Sequence, residues 1–192
     1  MAEIKNYYCS QKFDWVEIRL YDGFVASCCQ AQPHRITMDD IKQHPVGFFN
    51  YSQIQKERQQ MLDNQPVTGC ETGCWSLERQ NIQSRRQLAG ADQKSYSTVE
   101  GIPKTLNLVI NNTCLQSCVY CCKNFSSGWL ADVVKNGDYN IAGYENRYNA
   151  SPQDRVLSRI SQPELHNSKF SRAVLEQIVK NSDQIQHLTI TG

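Results

Sequence analysis

Residues Asp14 to Leu20 alternate between apolar and polar positions, with Val16, Ile18 and Leu20 on one face and Trp15, Glu17 and Arg19 on the other. A period of two predicts a strand with one buried face. Asp22-Gly23 followed by Phe24-Val25-Ala26-Ser27 extends it into a β-hairpin. That hairpin delivers Cys28 and Cys29 to the end of its second strand. From Ser52 the spacing changes. Ser52 and Gln55 stand as a capping-box pair, and Ile54, Met61 and Leu62 recur at i, i+7 and i+8. The spacing predicts a helix that ends near Asn64, because Pro66 disfavours its continuation. Cys70-Glu-Thr-Gly-Cys74 then reads as a small turn, and residues 75–87 as a short polar helix.

The second half opens with a Leu-, Val- and Ile-rich strand, Thr105 to Asn111. Phe170, Val174, Leu175, Ile178 and Val179 mark one face of a helix from about Lys169 to Lys180, and His187 to Gly192 reads as another strand. Strand, loop, helix and strand in that order form a βαβ unit whose two strands are expected to be parallel neighbours. Gln87 to Lys104 is polar, holds Gly and Pro and has no hydrophobic period, so it reads as a linker. Lys123 to Asn167 is irregular and rich in Asn and Tyr, and its part from Gly137 to Asn149 has the length of a substrate lid.

Charge narrows the function classes. The 192 residues carry 20 Lys and Arg against 19 Asp and Glu, a net charge of +1 that gives no bulk electrostatic footprint for nucleic acid or an anionic membrane. Mean hydropathy is -0.57, and no apolar run approaches the roughly 18 residues of a membrane span. A soluble, cytoplasmic chain is the expectation, since the first residues lack the basic start and apolar core of a signal peptide.

Composition then changes the picture, because nine residues are Cys. Thiols in a chain that is not secreted are more often metal ligands or redox groups than disulfides. They fall into an N-terminal group, Cys9, Cys28, Cys29, Cys70 and Cys74, and a C-terminal group, Cys114, Cys118, Cys121 and Cys122. In the second group, C-x3-C-x2-C directly follows a strand. Three thiolates on a short loop can bind three irons of a [4Fe–4S] cube and leave the fourth open to an external ligand, whereas a closed zinc site wants four protein ligands. Adjacent residues seldom both reach one metal, which sets Cys122 apart. Spacing alone leaves a zinc loop or three buried cysteines as the alternative. The N-terminal group offers five thiols for one four-ligand site, and its C-x3-C plus further Cys suits zinc as well as iron–sulfur.

The segment NLVINNTCLQSCVYCCKNFSSGW resembles the first strand and cluster loop of the radical S-adenosylmethionine (radical SAM) superfamily. There a CxxxCxxC motif, with an aromatic residue before the third Cys, follows strand one of a partial (β/α) barrel. The resemblance implies Cys114, Cys118 and Cys121 as ligands of a [4Fe–4S] cluster that binds S-adenosyl-L-methionine, with Tyr120 near the adenine. The terminal LTITG resembles strand two of that barrel, so Gly192 would open the motif that holds the SAM amino group. The implied activity is that of an oxidoreductase that cleaves SAM reductively to a 5′-deoxyadenosyl radical. Its partners would be a peptide or small-molecule substrate and an external electron donor such as a flavodoxin or ferredoxin.

The order of YCSQKFDWVEIRLYDGFVASCC, KERQQML and CETGCW resembles the auxiliary-cluster modules called twitch and SPASM domains. This implies an auxiliary iron–sulfur cluster on Cys9, Cys28, Cys70 and Cys74, with Cys29 as the substitute for Cys28. The fold expected is an α+β twitch-like module over residues 1–90, a linker over 91–104 and, over 105–192, the first βαβ unit of an incomplete α/β partial TIM-type barrel. A barrel interrupted at strand two would not turn over SAM by itself. The competing class is a non-catalytic zinc- or iron–sulfur-binding interaction module.

The remaining candidates read as structural. His34, His44, His166 and His187 are scattered and read as surface or packing residues, and Trp75 and Trp129 as covers for the cysteine loops. Lys56, Arg58, Arg79, Arg85 and Arg86 read as a solvated basic face, and the sequon at Asn149 as chance.

Overall fold

The computed structural model describes residues 3–29, 31, 33–44, 47–111, 113–114, 118, 126–137 and 169–191. Its centre is one mixed five-stranded sheet in the order β3-β2-β1-β4-β5. The expected hairpin forms β1 (Trp15–Arg19) and β2 (Phe24–Ala26), which pair antiparallel with Ile18 opposite Val25. Gly23 supplies the left-handed turn at φ +70°, and the Asp22 carboxylate accepts from the Phe24 N–H at 3.1 Å. A short β3 (His34–Arg35) continues the antiparallel edge.

On its other side β1 pairs in parallel with β4 (Thr105–Val109), and β4 pairs in parallel with β5 (His187–Thr191). The predicted parallel neighbours are therefore present. The sheet also joins strands on both sides of the expected linker. Residues of that linker pack on the N-terminal segment: Ser10 N–H donates to the Ala91 carbonyl at 2.7 Å, and the Tyr96 ring stacks on Phe13 at 5.0 Å.

Val16, Ile18, Val25, Leu106 and Leu108 are buried and form the core with Phe48, Phe49 and Ile54. Around the sheet lie the helices α1 (Gln11–Asp14), α2 (Met38–Gln43), α3 (Ser52–Leu62), α4 (Ser76–Arg79), α5 (Arg85–Leu88), α6 (Ser127–Asn136) and α7 (Lys169–Lys180). Helix α7 adds Phe170, Val174 and Ile178 to this core and packs beside α2. Leu175 and Val179, expected on the same face, are exposed: the buried positions Phe170, Val174 and Ile178 recur every four residues and form a narrower stripe. Strand β5 is exposed along its length.

Local expectations are corrected at three further places. Helix α3 starts at Ser52 itself, with Tyr51 as its cap residue and no side-chain cap bond, so the Ser52/Gln55 capping box is not made. Such boxes occur instead at Thr37/Asp40, opening α2, and at Ser84/Gln87, opening α5. Cys70 to Cys74 is helical rather than a turn: a 3-10 turn (Thr68–Cys70) runs into a π-helical turn (Glu71–Trp75). The polar helix expected over 75–87 is two pieces, α4 and α5, separated where Asn81 takes a left-handed φ of 60°.

Candidate metal centre

Three separate segments bring Cys9, Cys28, Cys70 and Cys74 to the wall of one cavity. Cys9 lies just before α1, which runs directly into β1. Cys28 follows the antiparallel β2, whose chain returns to the level at which β1 began. Cys70 and Cys74 share a side because a helical backbone carries positions i and i+4 on one face. All four are buried, whereas Cys29 is exposed. Trp75 roofs the cavity, 1% exposed, with its indole N–H donated to the Val67 carbonyl at 3.0 Å.

Burial pushes the Cys9 thiol up to about 11 and Cys70 up to about 12, and it raises Cys74 as well. Specific groups oppose it. The Gln11 backbone N–H favours the thiolate of Cys9, Lys12 that of Cys70, and the Arg86 backbone N–H that of Cys74. Backbone donors and a nearby cation of this kind stabilise thiolate ligands once a metal replaces their protons. Cys29 is raised chiefly by its hydrogen bond to Cys28.

Cations line the same space. Lys12 is 1% exposed, and its ammonium donates to Glu57 Oε2 at 2.5 Å and to Ser27 Oγ at 2.9 Å. Burial alone would lower its pKa, but Cys70 and Glu57 outweigh that and raise it. Glu57 also faces His34 Nε2 at 2.9 Å. Burial would raise the Glu57 carboxyl, yet Lys12 and His34 bring it down to about 2. Arg86 lines the cavity between Glu78 and the ring of Trp75, its guanidinium carbon 4.8 Å from the ring centre, and Arg85 is exposed beside it.

Sequence reasoning missed these polar groups. Arg58 and Arg86, assigned to a solvated face, are buried, while Lys56 and Arg85 are exposed. Arg58 donates to the Lys12 carbonyl at 2.8 Å and so pins α1 against α3. The available signal was positional: Glu57 and Arg58 flank the apolar stripe of α3, and Lys12 stands three residues after Cys9. His34 packs against Glu57 and His44 against Tyr51, while His187 is exposed.

The C-terminal group is described only in part. Cys121, Cys122, Tyr120, Gly192 and His166 lie outside the described residues, as does the insertion from residue 138 to 168. Cys114 follows the C-terminal end of β4 and is tied to the start of α6. Its N–H donates to Ser127 Oγ at 3.0 Å, and its carbonyl accepts from the Gly128 N–H at 2.8 Å. The Cys118 carbonyl accepts from the Trp129 indole at 3.0 Å, and the rest of the loop that Trp129 is expected to cover lies outside the described residues. Because β1 and β4 are parallel, the two cysteine groups stand at opposite ends of the sheet. A strand of five residues separates such ends by about 16 Å.

Among the described residues, no three His, Cys, Asp or Glu side chains are grouped as one bound metal ion requires, and no helix is long and apolar enough to cross a membrane. No protein-family model matches the chain, and neither the curated proteins nor the solved structures give a match.

Proposed function

We propose that the chain holds an iron–sulfur cluster between Cys9, Cys28, Cys70 and Cys74, and a SAM-binding [4Fe–4S] cluster on Cys114, Cys118 and Cys121, as part of a cytoplasmic radical SAM enzyme. The observation that carries the reading is the convergence of four buried cysteines from three segments on one cation-lined cavity. One zinc ion would draw its sulfurs to within about 3.8 Å of each other, given Zn–S bonds of about 2.3 Å. A cluster spreads its four cysteines over two or four irons, so its ligands surround a volume rather than a point. Buried, protonated thiols beside donors and cations suit ligands that release protons when the cluster binds.

The C-terminal part of the reading rests on the C-x3-C-x2-C loop that follows β4 and on the parallel β4/β5 pair. A three-cysteine [4Fe–4S] cluster with bound SAM supplies one-electron cleavage of the SAM C–S bond. In the chain, α6 holds the backbone of Cys114 through Ser127 and that of Cys118 through Trp129. A twitch-like N-terminal module and a partial TIM-type barrel are the finer fold this reading carries. A peptide or small molecule is the substrate class, and a flavodoxin or ferredoxin the class of electron donor.

Anaerobic reconstitution with iron and sulfide tests the proposal. Brown protein with two spectroscopically distinct clusters, one of them lost in Cys118→Ala, is the expected result. Colourless protein that takes up stoichiometric zinc in preference to iron would overturn it in favour of a zinc-binding interaction module.

A further inference from the structure

Lys12 occupies an expensive position. Its side chain is fully enclosed, it lines the same cavity as the four cysteines, and its carboxylate partner, Glu57, is shared with His34. Desolvating an ammonium costs several kcal/mol, and a buried ion pair is on balance no more stable than a well-packed apolar pair of the same volume. An apolar side chain would serve the core at least as well. The charge therefore answers to what lies beside it: the Glu57 carboxylate at 2.5 Å and the cavity whose wall Lys12 shares with Cys9, Cys28, Cys70 and Cys74.

The other two cations at the cavity are less available. Arg86 is committed to both oxygens of Glu78, and Arg85 is exposed, where water screens it. Lys12 is the cation that combines full burial with a divided counter-charge.

We propose that Lys12 sets the reduction potential of the cluster held by Cys9, Cys28, Cys70 and Cys74, with Glu57 moderating its effect. The inference rests on the iron–sulfur reading of that cavity. Reduction adds one electron, taken from an external one-electron reductant, with no bond made or broken. The added negative charge is favoured by a fixed cation in a low-dielectric site, so Lys12 raises the potential and the Glu57 carboxylate lowers it.

The test uses the full chain carrying Cys118→Ala, which leaves the N-terminal site alone, reconstituted with iron and sulfide and titrated with dithionite under EPR detection. Lys12→Met is expected to shift the reduction equilibrium at least tenfold toward the oxidised form, about 59 mV for one electron. Glu57→Gln is expected to shift it toward the reduced form, and Lys12→Arg to keep the parent potential within that margin. Parent-like midpoints in Lys12→Met and Glu57→Gln, at parent-like iron and sulfide content, would overturn the inference. If Lys12→Met does not load, the Glu57→Gln midpoint decides. A Cys118→Ala parent that binds no iron and sulfide fails one step earlier, at the iron–sulfur reading itself, and this inference falls with it.

Discussion

Arg86 grips Glu78 at both carboxylate oxygens, with Nε 2.7 Å from Oε1 and Nη2 2.5 Å from Oε2, and both side chains are buried. The same guanidinium donates to the carbonyls of Tyr8 at 2.6 Å and Asn6 at 2.7 Å, so it ties the segment carrying Cys9 to the helices that follow Cys74. Removing one partner leaves a buried charge alone, which costs about 3–5 kcal/mol. Arg86→Ala is expected to lose that much in urea unfolding of the metal-free protein. Arg86→Lys should recover little of it, because an ammonium cannot serve two carboxylate oxygens and two carbonyls in one plane. A loss below about 1 kcal/mol, the worth of an exposed pair, would contradict this account.

Acid should unfold the metal-free protein through Glu57. Its pKa is about 2 in the fold against an ordinary value of 4.5, because Lys12 and His34 outweigh the effect of burial. A depressed carboxyl contributes stability that is fully present above the ordinary value and is lost as pH falls toward the folded one. The window is therefore pH 4.5 down to about 2. The contribution is about 3 kcal/mol by linkage. Urea midpoints measured across that range should fall steeply in the parent and less in Glu57→Gln. Equal slopes would show that the carboxyl titrates unperturbed.

Where one period governed a segment, the sequence was readable. The hairpin at Asp22-Gly23, the β4/β5 pairing and the helices beginning at Ser52 and Lys169 follow from alternation or 3.6-residue spacing. The parallel contact of β1 with β4 was not readable, because strand pairing across ninety positions leaves no local signal. The candidate site was half legible for the same reason. Cysteines announce themselves by type and spacing, but a buried Lys12 or Arg86 looks in sequence like any solvated cation. Their burial is decided by carboxylates that arrive from α3 and α4.

Thiol reactivity should follow burial in the metal-free protein. With its pKa near 11, the Cys9 thiol has a thiolate fraction at neutral pH two to three orders of magnitude below that of a free cysteine, and Cys70, near 12, lower still; the comparison takes a free thiol at about 8.5. Iodoacetamide labelling at pH 7 followed by mass spectrometry should find Cys9 and Cys70 slow by roughly a hundredfold or more, with the protection abolished in urea. Protection that survives unfolding would mean that something other than the fold masks these sulfurs.

The ligand choice between Cys28 and Cys29 is the sharpest test of the cavity. The two are adjacent, so sequence spacing alone treats either as a partner for Cys9, Cys70 and Cys74. Their environments differ: Cys28 is buried on the cavity wall, its thiol 3.9 Å from Gln11 Oε1, and Cys29 is exposed. The chain turns directly after β2, where the Ala31 N–H donates to the Cys28 carbonyl at 3.0 Å, and that turn places Cys28 on the cavity wall and leaves Cys29 exposed. Cys28→Ser is therefore expected to lose the N-terminal cluster, read as iron and sulfide content in the Cys118→Ala background, and Cys29→Ser to retain it with an unchanged EPR spectrum. Cys29, exposed and absent from the cavity wall, stands beside the ligand rather than among the ligands. Retention of iron in Cys28→Ser with loss in Cys29→Ser would move the ligand outward by one residue and require the chain after β2 to rotate on cluster binding.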